Sequence, residues 1–305
     1  FMKKVAKTDD PYEEIASRLT LQEVEAVKAL GLAGVSTYAE RWRYYPSGYL
    51  AAHALGFIAY NEDELAGRYG LERYYEDVLK RNNDSVFVNF FAEIFSNIQK
   101  SLSADAKLEG DVVTSIEPSV ELFLERELSK LRETWASDYA GGIIMNPQTG
   151  AIVAIAIAPT FDPNNLKAQS GSSIFTNHNV ESVYEMGSII KPLTIAAGID
   201  SGAVTANTTY YDSGTLTLDR KTISNFDGRG RGTVNMQEVL SQSLNTGVAF
   251  AVRTMGKGVF AKYMKSYGIG EETGIDLPNE IHGLTDNLNS PRDIEYATAS
   301  FGQGI

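Results

Sequence analysis

The segment Tyr184–Ile199, YEMGSIIKPLTIAAGI, sets a serine directly after a glycine and a lysine three positions on, then continues as an apolar run. Gly187 permits a tight turn. Ser188 is expected to open a helix in which Pro192 is tolerable because it falls in the first turn. Ile189, Ile190, Leu193, Ile195, Ala196, Ala197 and Ile199 cover nearly the whole circumference, so the pattern predicts burial on all sides, with Gly202 near the helix end. Residues three apart share a helix face, which brings the Lys191 amine within reach of the Ser188 hydroxyl. Burial without a carboxylate depresses a lysine pKa, and a neutral amine can take a serine proton as general base. The helix N-terminus adds free N–H groups for a developing oxyanion. About one Ser-x-x-Lys arises by chance in a chain of this composition. A capped helix beside a snorkelling lysine fits the same residues. On this segment alone both readings stand.

A second segment bears on the choice. Ser241-Gln242-Ser243-Leu244-Asn245-Thr246-Gly247 separates two helical patterns, MQEVLSQ before it and TGVAFAVRTM after it. Ser243 and Asn245 would project a hydroxyl and an amide from a loop, suited to a proton relay and to orienting a peptide carbonyl. Either residue could instead be a helix N-cap. Ser-x-x-Lys followed downstream by Ser-x-Asn is the signature of serine acyl-transferases, usually completed by Lys-Thr-Gly.

Bulk properties narrow the alternatives. A chain of 305 residues, 43% hydrophobic and 22% charged, predicts two domains with a sizeable core. The net charge of -12 repels phosphate backbones and anionic lipid heads, so nucleic acid is excluded as a partner. There is no apolar run of about 18 residues, and Phe1-Met2-Lys3-Lys4 leads into the polar KTDDPYEE, which is not a signal peptide. An anchor, if the native protein has one, is expected upstream. The chain has no cysteine, which removes disulfides, thiolate metal sites and a cysteine nucleophile. His53, His178 and His282 are too dispersed for a histidine metal site and read as surface or satisfied core residues. No metal and no cofactor are expected.

Along the chain, Leu21–Leu30 (LQEVEAVKAL) has helical spacing and ends at Gly31. Arg41–Tyr45 (RWRYY) reads as a strand stopped by Pro46-Ser47-Gly48, and Tyr69–Leu79 as a helix. Val86–Gln99 is aromatic without a clear period. After Gly110 the texture changes. GDVVTSIEP reads as a strand, and Pro118 starts an amphipathic helix through Leu131. GGIIMNPQTGAIVAIAIAP reads as two strands around the turn Asn146–Gly150. The second strand is apolar at every position from Ala151 to Ala158, which predicts burial on both faces, as in a central antiparallel sheet covered by helices on both sides. The expected domains are a mixed helical and stranded unit over 1–109 and an α/β unit over 110–305.

With these residues in view the chain resembles a class B penicillin-binding protein, a D,D-transpeptidase of cell-wall synthesis. RYYPSGYLAAHALGFIA and GRYGLERYYEDVL resemble the segment that links the N-terminal pedestal to the catalytic domain in that class. LEGDVVTSIEPSVELFLERELSKL resembles the start of the transpeptidase domain, GGIIMNPQTGAIVAIAIAPTFDPNN its first hairpin, and FGQGI the FGxG segment. The segments occur in the family's order over most of the chain from Arg41 onward.

The resemblance implies an α+β penicillin-binding transpeptidase fold, a central antiparallel sheet flanked by helices, preceded by a mixed pedestal domain. It implies that Ser188 is the acylated nucleophile, Lys191 its base, and Ser243 and Asn245 the proton-shuttling and substrate-holding residues. Ser188 would attack the carbonyl between two terminal D-alanines of a peptidoglycan stem peptide and expel one. The acyl group would then pass to an amine of a neighbouring strand, and β-lactams would acylate the same serine. A membrane glycosyltransferase partner and a location on the extracytoplasmic face of the bacterial membrane are implied as well, in service of cell shape or division.

Three departures stand out. No lysine begins Lys-Thr-Gly or Lys-Ser-Gly; Lys221-Thr222-Ile223 comes too early and has the wrong third residue, so the third motif is expected beyond Ile305. Met186 stands where the family has proline. Leu244 stands where serine or aspartate is frequent, at a position whose side chain is expected to matter less. Rival readings are a carboxypeptidase, a β-lactamase or a β-lactam sensor, which lack the RYYP…AAH…LGF region, and a non-catalytic wall-binding relative. A serine hydrolase using His178 is disfavoured because no Gly-x-Ser-x-Gly is present.

Overall fold

The computed structural model describes residues 14–38, 42–61, 64–80, 110–169 and 171–305. Arg41 and the stretch Val86–Gln99 lie outside the described residues. The expected first helix is present as α1, Leu21–Ala29, closed by a reciprocal capping box between Thr20 and Glu23. Gly31 follows with φ of +56°, the left-handed position that ends the helix.

The predicted strand RWRYY does not form over its described part, 42–45. The Asn164 side chain takes the place of a neighbouring strand. Its Oδ1 accepts from Tyr45 N at 3.0 Å and its Nδ2 donates to Tyr45 O at 2.8 Å. Tyr45 is buried against Ala52, Phe57 and Phe161, and its hydroxyl meets Glu72, which also pairs with Arg43. Beyond it come the short helix α2, Ala52–Leu55, and an antiparallel hairpin of β1, Phe57–Asn61, and β2, Glu64–Tyr69. The helix expected over Tyr69–Leu79 is two pieces, α3, Gly70–Tyr74, and α4, Glu76–Leu79. Tyr69 is instead the last residue of β2. Gly70 has φ of +57°, and a side chain there would strike the backbone of Ala54 and Leu55. That close approach is what only glycine allows.

GDVVTSIEP does not form a ladder strand: Glu117 N donates to Val153 O and the Ser115 hydroxyl to Ile152 O. Pro118 does start the long helix α5, Pro118–Trp135, which needs no N–H from its first residue. The hairpin follows as expected, β3, Ala140–Met145, against β4, Ile152–Ala158, with Asn146 N donating to Ala151 O across the turn. Ala154–Ala158 are buried, as the continuous apolar run predicts. The broader expectation of a central sheet covered on both sides is not met among the described residues. The hairpin is a two-stranded sheet, α5 packs on it, and Ile143, Ile144 and Met145 of β3 are exposed.

The remaining chain carries more helix than strand. The short α6, His178–Glu181, and α7, Lys191–Asp200, precede two small antiparallel pairs. These are β5, Thr209–Asp212, with β8, Gly232–Asn235, and β6, Thr215–Leu218, with β7, Lys221–Ser224. Four helices complete it: α8, Met236–Ser241; α9, Asn245–Met255; α10, Lys257–Ser266; and α11, Asp293–Ala299. The centre is α9, buried nearly end to end and packed on α7 and α11. Gly247 makes this possible, because a Cβ there would collide with Val239.

The all-round burial expected of the Ser188 helix is corrected. One face of α7 is buried through Lys191, Thr194, Ile195, Ala197 and Gly198, while Ile189, Pro192, Ala196 and Ile199 line an exposed face. Phe301-Gly302-Gln303-Gly304 closes over the start of this helix: Gly187 N donates to Gly302 O at 2.9 Å.

Two carboxylates under the hairpin carry an electrostatic penalty. Glu121 and Glu125 lie one turn apart on α5, both buried. Glu121 Oε2 accepts from Ile155 N and Glu125 Oε1 from Ala51 N, each at 2.8 Å, so α5 staples the segment around Ala51 to β4. The other oxygen of each has no partner among the described residues. β3 and β4 carry no ionisable side chain, and the one on α2, His53, donates its Nε2–H to Ile174 O. Burial pushes the Glu121 carboxyl up to about 7, with the negative Glu125 adding to the effect. The folded state therefore holds a proton that the unfolded chain releases near 4.5. Stability from this group is complete below that pH and falls as pH rises to about 7. Glu121→Gln should leave stability unchanged near pH 4.5 and raise it at pH 8 by on the order of 3 kcal/mol. Urea unfolding at the two pH values checks this; a difference independent of pH would contradict it.

A second expectation follows from the FGQG contact. Gly302 has φ of +75°, and a side chain there would run into the Gly187 backbone. Gly302→Ala should lower stability by about 2 kcal/mol or more, read as a drop in Tm of several degrees.

Candidate active site

Ser188 lies in a 3-10 turn, Gly187–Ile190, that runs directly into α7, so the α-helix begins at Lys191 rather than at the serine. Residues three apart eclipse in such a turn, which keeps Ser188 and Lys191 on one side. Gly187 enters with φ of +63°. The turn is clamped from the far end of the chain. Besides the Gly187–Gly302 bond, Gly304 N donates to Glu185 Oε1 at 2.9 Å, and the Thr194 hydroxyl donates to Ser300 O at 2.8 Å. Ser188 itself is exposed, and among the described residues its hydroxyl makes no hydrogen bond.

Lys191, unlike Ser188, is buried. It is 2% exposed, and its amine lies 2.6 Å from Ser243 O and 2.9 Å from Ser243 Oγ. The Phe301 ring lies beside it, 6.0 Å from Nζ to centroid. No carboxylate among the described residues offsets the loss of water, and burial brings the amine down to about 8. A neutral amine has two N–H groups and one lone pair. Its two donors match the two Ser243 oxygens, which leaves the lone pair free for a third group.

Ser243 occupies the turn between α8 and α9 with φ of +53°, a left-handed conformation that costs a non-glycine residue about 1 kcal/mol. Asn245 is the first residue of α9. The cap position is Leu244, without a side-chain cap, so neither serine nor asparagine serves as the N-cap that an ordinary reading of this loop allows. Asn245 Nδ2 donates instead to Ser224 O, at the end of β7, at 2.8 Å. The structure thus brings Lys191 and Ser243 into contact, and it holds Asn245 on the neighbouring hairpin. Leu244 is 1% exposed and packs with Val239 and Val248, so its side chain matters for the core, contrary to the expectation from sequence.

Sequence reasoning missed the layer beneath. Asp212, Asn225 and Thr246 form a buried hydrogen-bonded group directly under Asn245. The only local signal was the turn-forming Asp212-Ser213-Gly214. Lys221-Thr222-Ile223 lies on β7, paired with β6. His53 is a satisfied core residue, with burial bringing it down to about 4, and His178 stacks on Tyr139. Among the described residues no group of three or more histidines or carboxylates is placed to hold a metal ion.

Comparison with known proteins supplies the family. Residues 140–305 match the penicillin binding protein transpeptidase domain, and residues 1–113 match the penicillin-binding protein dimerisation domain. Stage V sporulation protein D of Bacillus subtilis is 31% identical over 94% of this chain and 44% of its own length. Peptidoglycan D,D-transpeptidase MrdA of Acinetobacter baumannii is 28% identical over 92% of this chain and 45% of its own. Peptidoglycan D,D-transpeptidase FtsI of Escherichia coli is 26% identical over 95% and 48%. The chain spans about half the length of the relatives it matches. With the dimerisation and transpeptidase domains matched in this order, the chain belongs to the class B penicillin-binding proteins.

Proposed function

We propose that this chain carries the acylating machinery of a peptidoglycan D,D-transpeptidase, with Ser188 as nucleophile, Lys191 as base, Ser243 as proton relay and Asn245 as substrate holder. The observation that supports it most is the buried Lys191 amine, bonded to Ser243 and with no carboxylate beside it among the described residues. A structural lysine would snorkel to water or find a counterion.

Ser188 Oγ attacks the carbonyl between the two terminal D-alanines of a stem peptide, and its proton passes to the Lys191 lone pair. Collapse of the tetrahedral adduct breaks the peptide bond. The leaving amine of D-alanine takes a proton through the Ser243 hydroxyl, whose place beside Lys191 Nζ suits that transfer. The amine of a neighbouring strand then attacks the ester, loses its proton along the same path, and releases Ser188 with the crosslink formed. β-Lactams acylate the same serine and stop there.

The domain division at about residue 110, a location on the extracytoplasmic face of the bacterial membrane, and a membrane glycosyltransferase partner belong to the same proposal. No helix among the described residues is long and apolar enough to cross a membrane.

Full-length protein should form a covalent adduct at Ser188 with a labelled penicillin. Ser188→Ala should abolish labelling, and Lys191→Ala should slow it by orders of magnitude. Only the neutral amine accepts a proton, so the labelling rate should rise with pH and level off above about 8, the value to which burial brings Lys191. Equal labelling of Ser188→Ala and wild type would sink the assignment.

A further inference from the structure

We propose that Asp212 is a positioning residue for substrate recognition, acting through Asn225 and Thr246 to set the amide of Asn245. The inference rests on the acyl-enzyme reading above and extends it to a residue that no active-site motif contains.

Asp212 ends β5 and is 1% exposed. Its Oδ1 accepts from Thr246 Oγ1 at 2.8 Å, Gly214 N at 2.9 Å and Asn225 Nδ2 at 3.0 Å. Its Oδ2 accepts from Asn225 Nδ2 at 2.9 Å and Arg231 N at 3.0 Å. The Arg231 guanidinium turns away to Asp227 and Gln242, so this carboxylate is held by neutral donors alone.

A carboxylate only accepts, and that fixes every proton around it. The one Thr246 hydroxyl proton goes to acceptors, Asp212 Oδ1 at 2.8 Å and Asn225 Oδ1 at 3.1 Å, so the Tyr210 hydroxyl, 3.1 Å from Thr246 Oγ1, must donate to Thr246. Asn225 must turn its Nδ2 to the carboxylate, which leaves its Oδ1 to accept from Thr246 N at 3.3 Å. Asn225 follows Ser224, whose carbonyl takes the Asn245 side chain, and Thr246 follows Asn245. Both residues next to the Asn245–Ser224 contact are therefore tied to one buried charge. With one N–H of Asn245 committed to Ser224 O, its second N–H and its carbonyl oxygen remain, the pair that matches an amide of a bound peptide.

An uncharged amide at 212 sets an N–H₂ group against donors on one side or the other, and the orientation of Asn225 is no longer unique. The catalytic pair is untouched, because Lys191 contacts Ser243 and not this cluster. The loss should therefore fall on ligands that Asn245 can hold through an amide.

The test compares acylation of full-length protein by benzylpenicillin, which carries a side-chain amide, with acylation by 6-aminopenicillanic acid, which carries a bare amine there. Asp212→Asn should slow benzylpenicillin tenfold or more while changing 6-aminopenicillanic acid less than threefold. Asn245→Ala should give the same selective loss, and the double variant should add little to either. Thr246→Val, which keeps the shape and removes one donor, should give a smaller loss of the same selectivity and covers the case in which Asp212→Asn does not fold. Equal slowing of both compounds, or no slowing in either variant, overturns the proposal. Wild-type protein unlabelled by both compounds would count against the acyl-enzyme reading itself, and with it this assignment.

Discussion

The Lys191 amine, removed from water and bonded to the two oxygens of Ser243, is the constraint around which the C-terminal half is arranged. An ammonium removed from water is costly, so burial shifts the balance towards the neutral amine and brings Lys191 down to about 8. Two neighbours have to adapt. Ser243 must present its hydroxyl and its carbonyl to one nitrogen, and it does so from a left-handed conformation that its residue type disfavours. The helix that follows must come close to α8, which Gly247 allows. Strain at Ser243 and the lost bulk at Gly247 are both offset by the packing of α9, whose buried face is continuous with α7 and α11.

The N-terminal half contains a second case of the same physics with the opposite sign. Glu121 and Glu125 are buried acids with no cation beside them among the described residues, and they too are displaced towards their neutral form. Their hydrogen bonds run to backbone amides of Ala51 and Ile155, so they work as clamps between segments. Asp212 differs from both: it is equally buried, but its oxygens meet four separate donor groups.

What the sequence made legible was local in origin. The Pro118 start of α5, the Thr20–Glu23 capping box and the Asn146–Gly150 turn are each decided by a few neighbouring residues. The site motifs were legible as types: Ser243 sits in a turn between helices as its surroundings predicted, while Asn245, expected in the loop, is the first residue of α9. What was not legible depends on partners far along the chain. Arg41–Tyr45 has strand composition, but Tyr45 finds its backbone partner in a side chain 119 positions away. The apolar residues of α7 fit burial on every side, yet which face is covered depends on α9, α10 and the chain beyond α11. The Asp212 cluster left no pattern because its members, spread from Tyr210 to Thr246, are common polar residues that gain meaning only when folded together.

The clamp on the Ser188 turn also sets an order of events during synthesis. Thr194 and Ser300 are 106 positions apart, and the Gly187–Gly302 bond closes a similar span. Contacts this distant in sequence form late, because the loop between them must be ordered first. While the chain emerges, Ser188 and Lys191 are both present long before the segment that fixes their geometry. A partly synthesised chain thus carries Ser188 and Lys191 before residues 300–304, which in the folded protein hold the serine turn and the helix after it through Ser300 O, Gly302 O and Gly304 N.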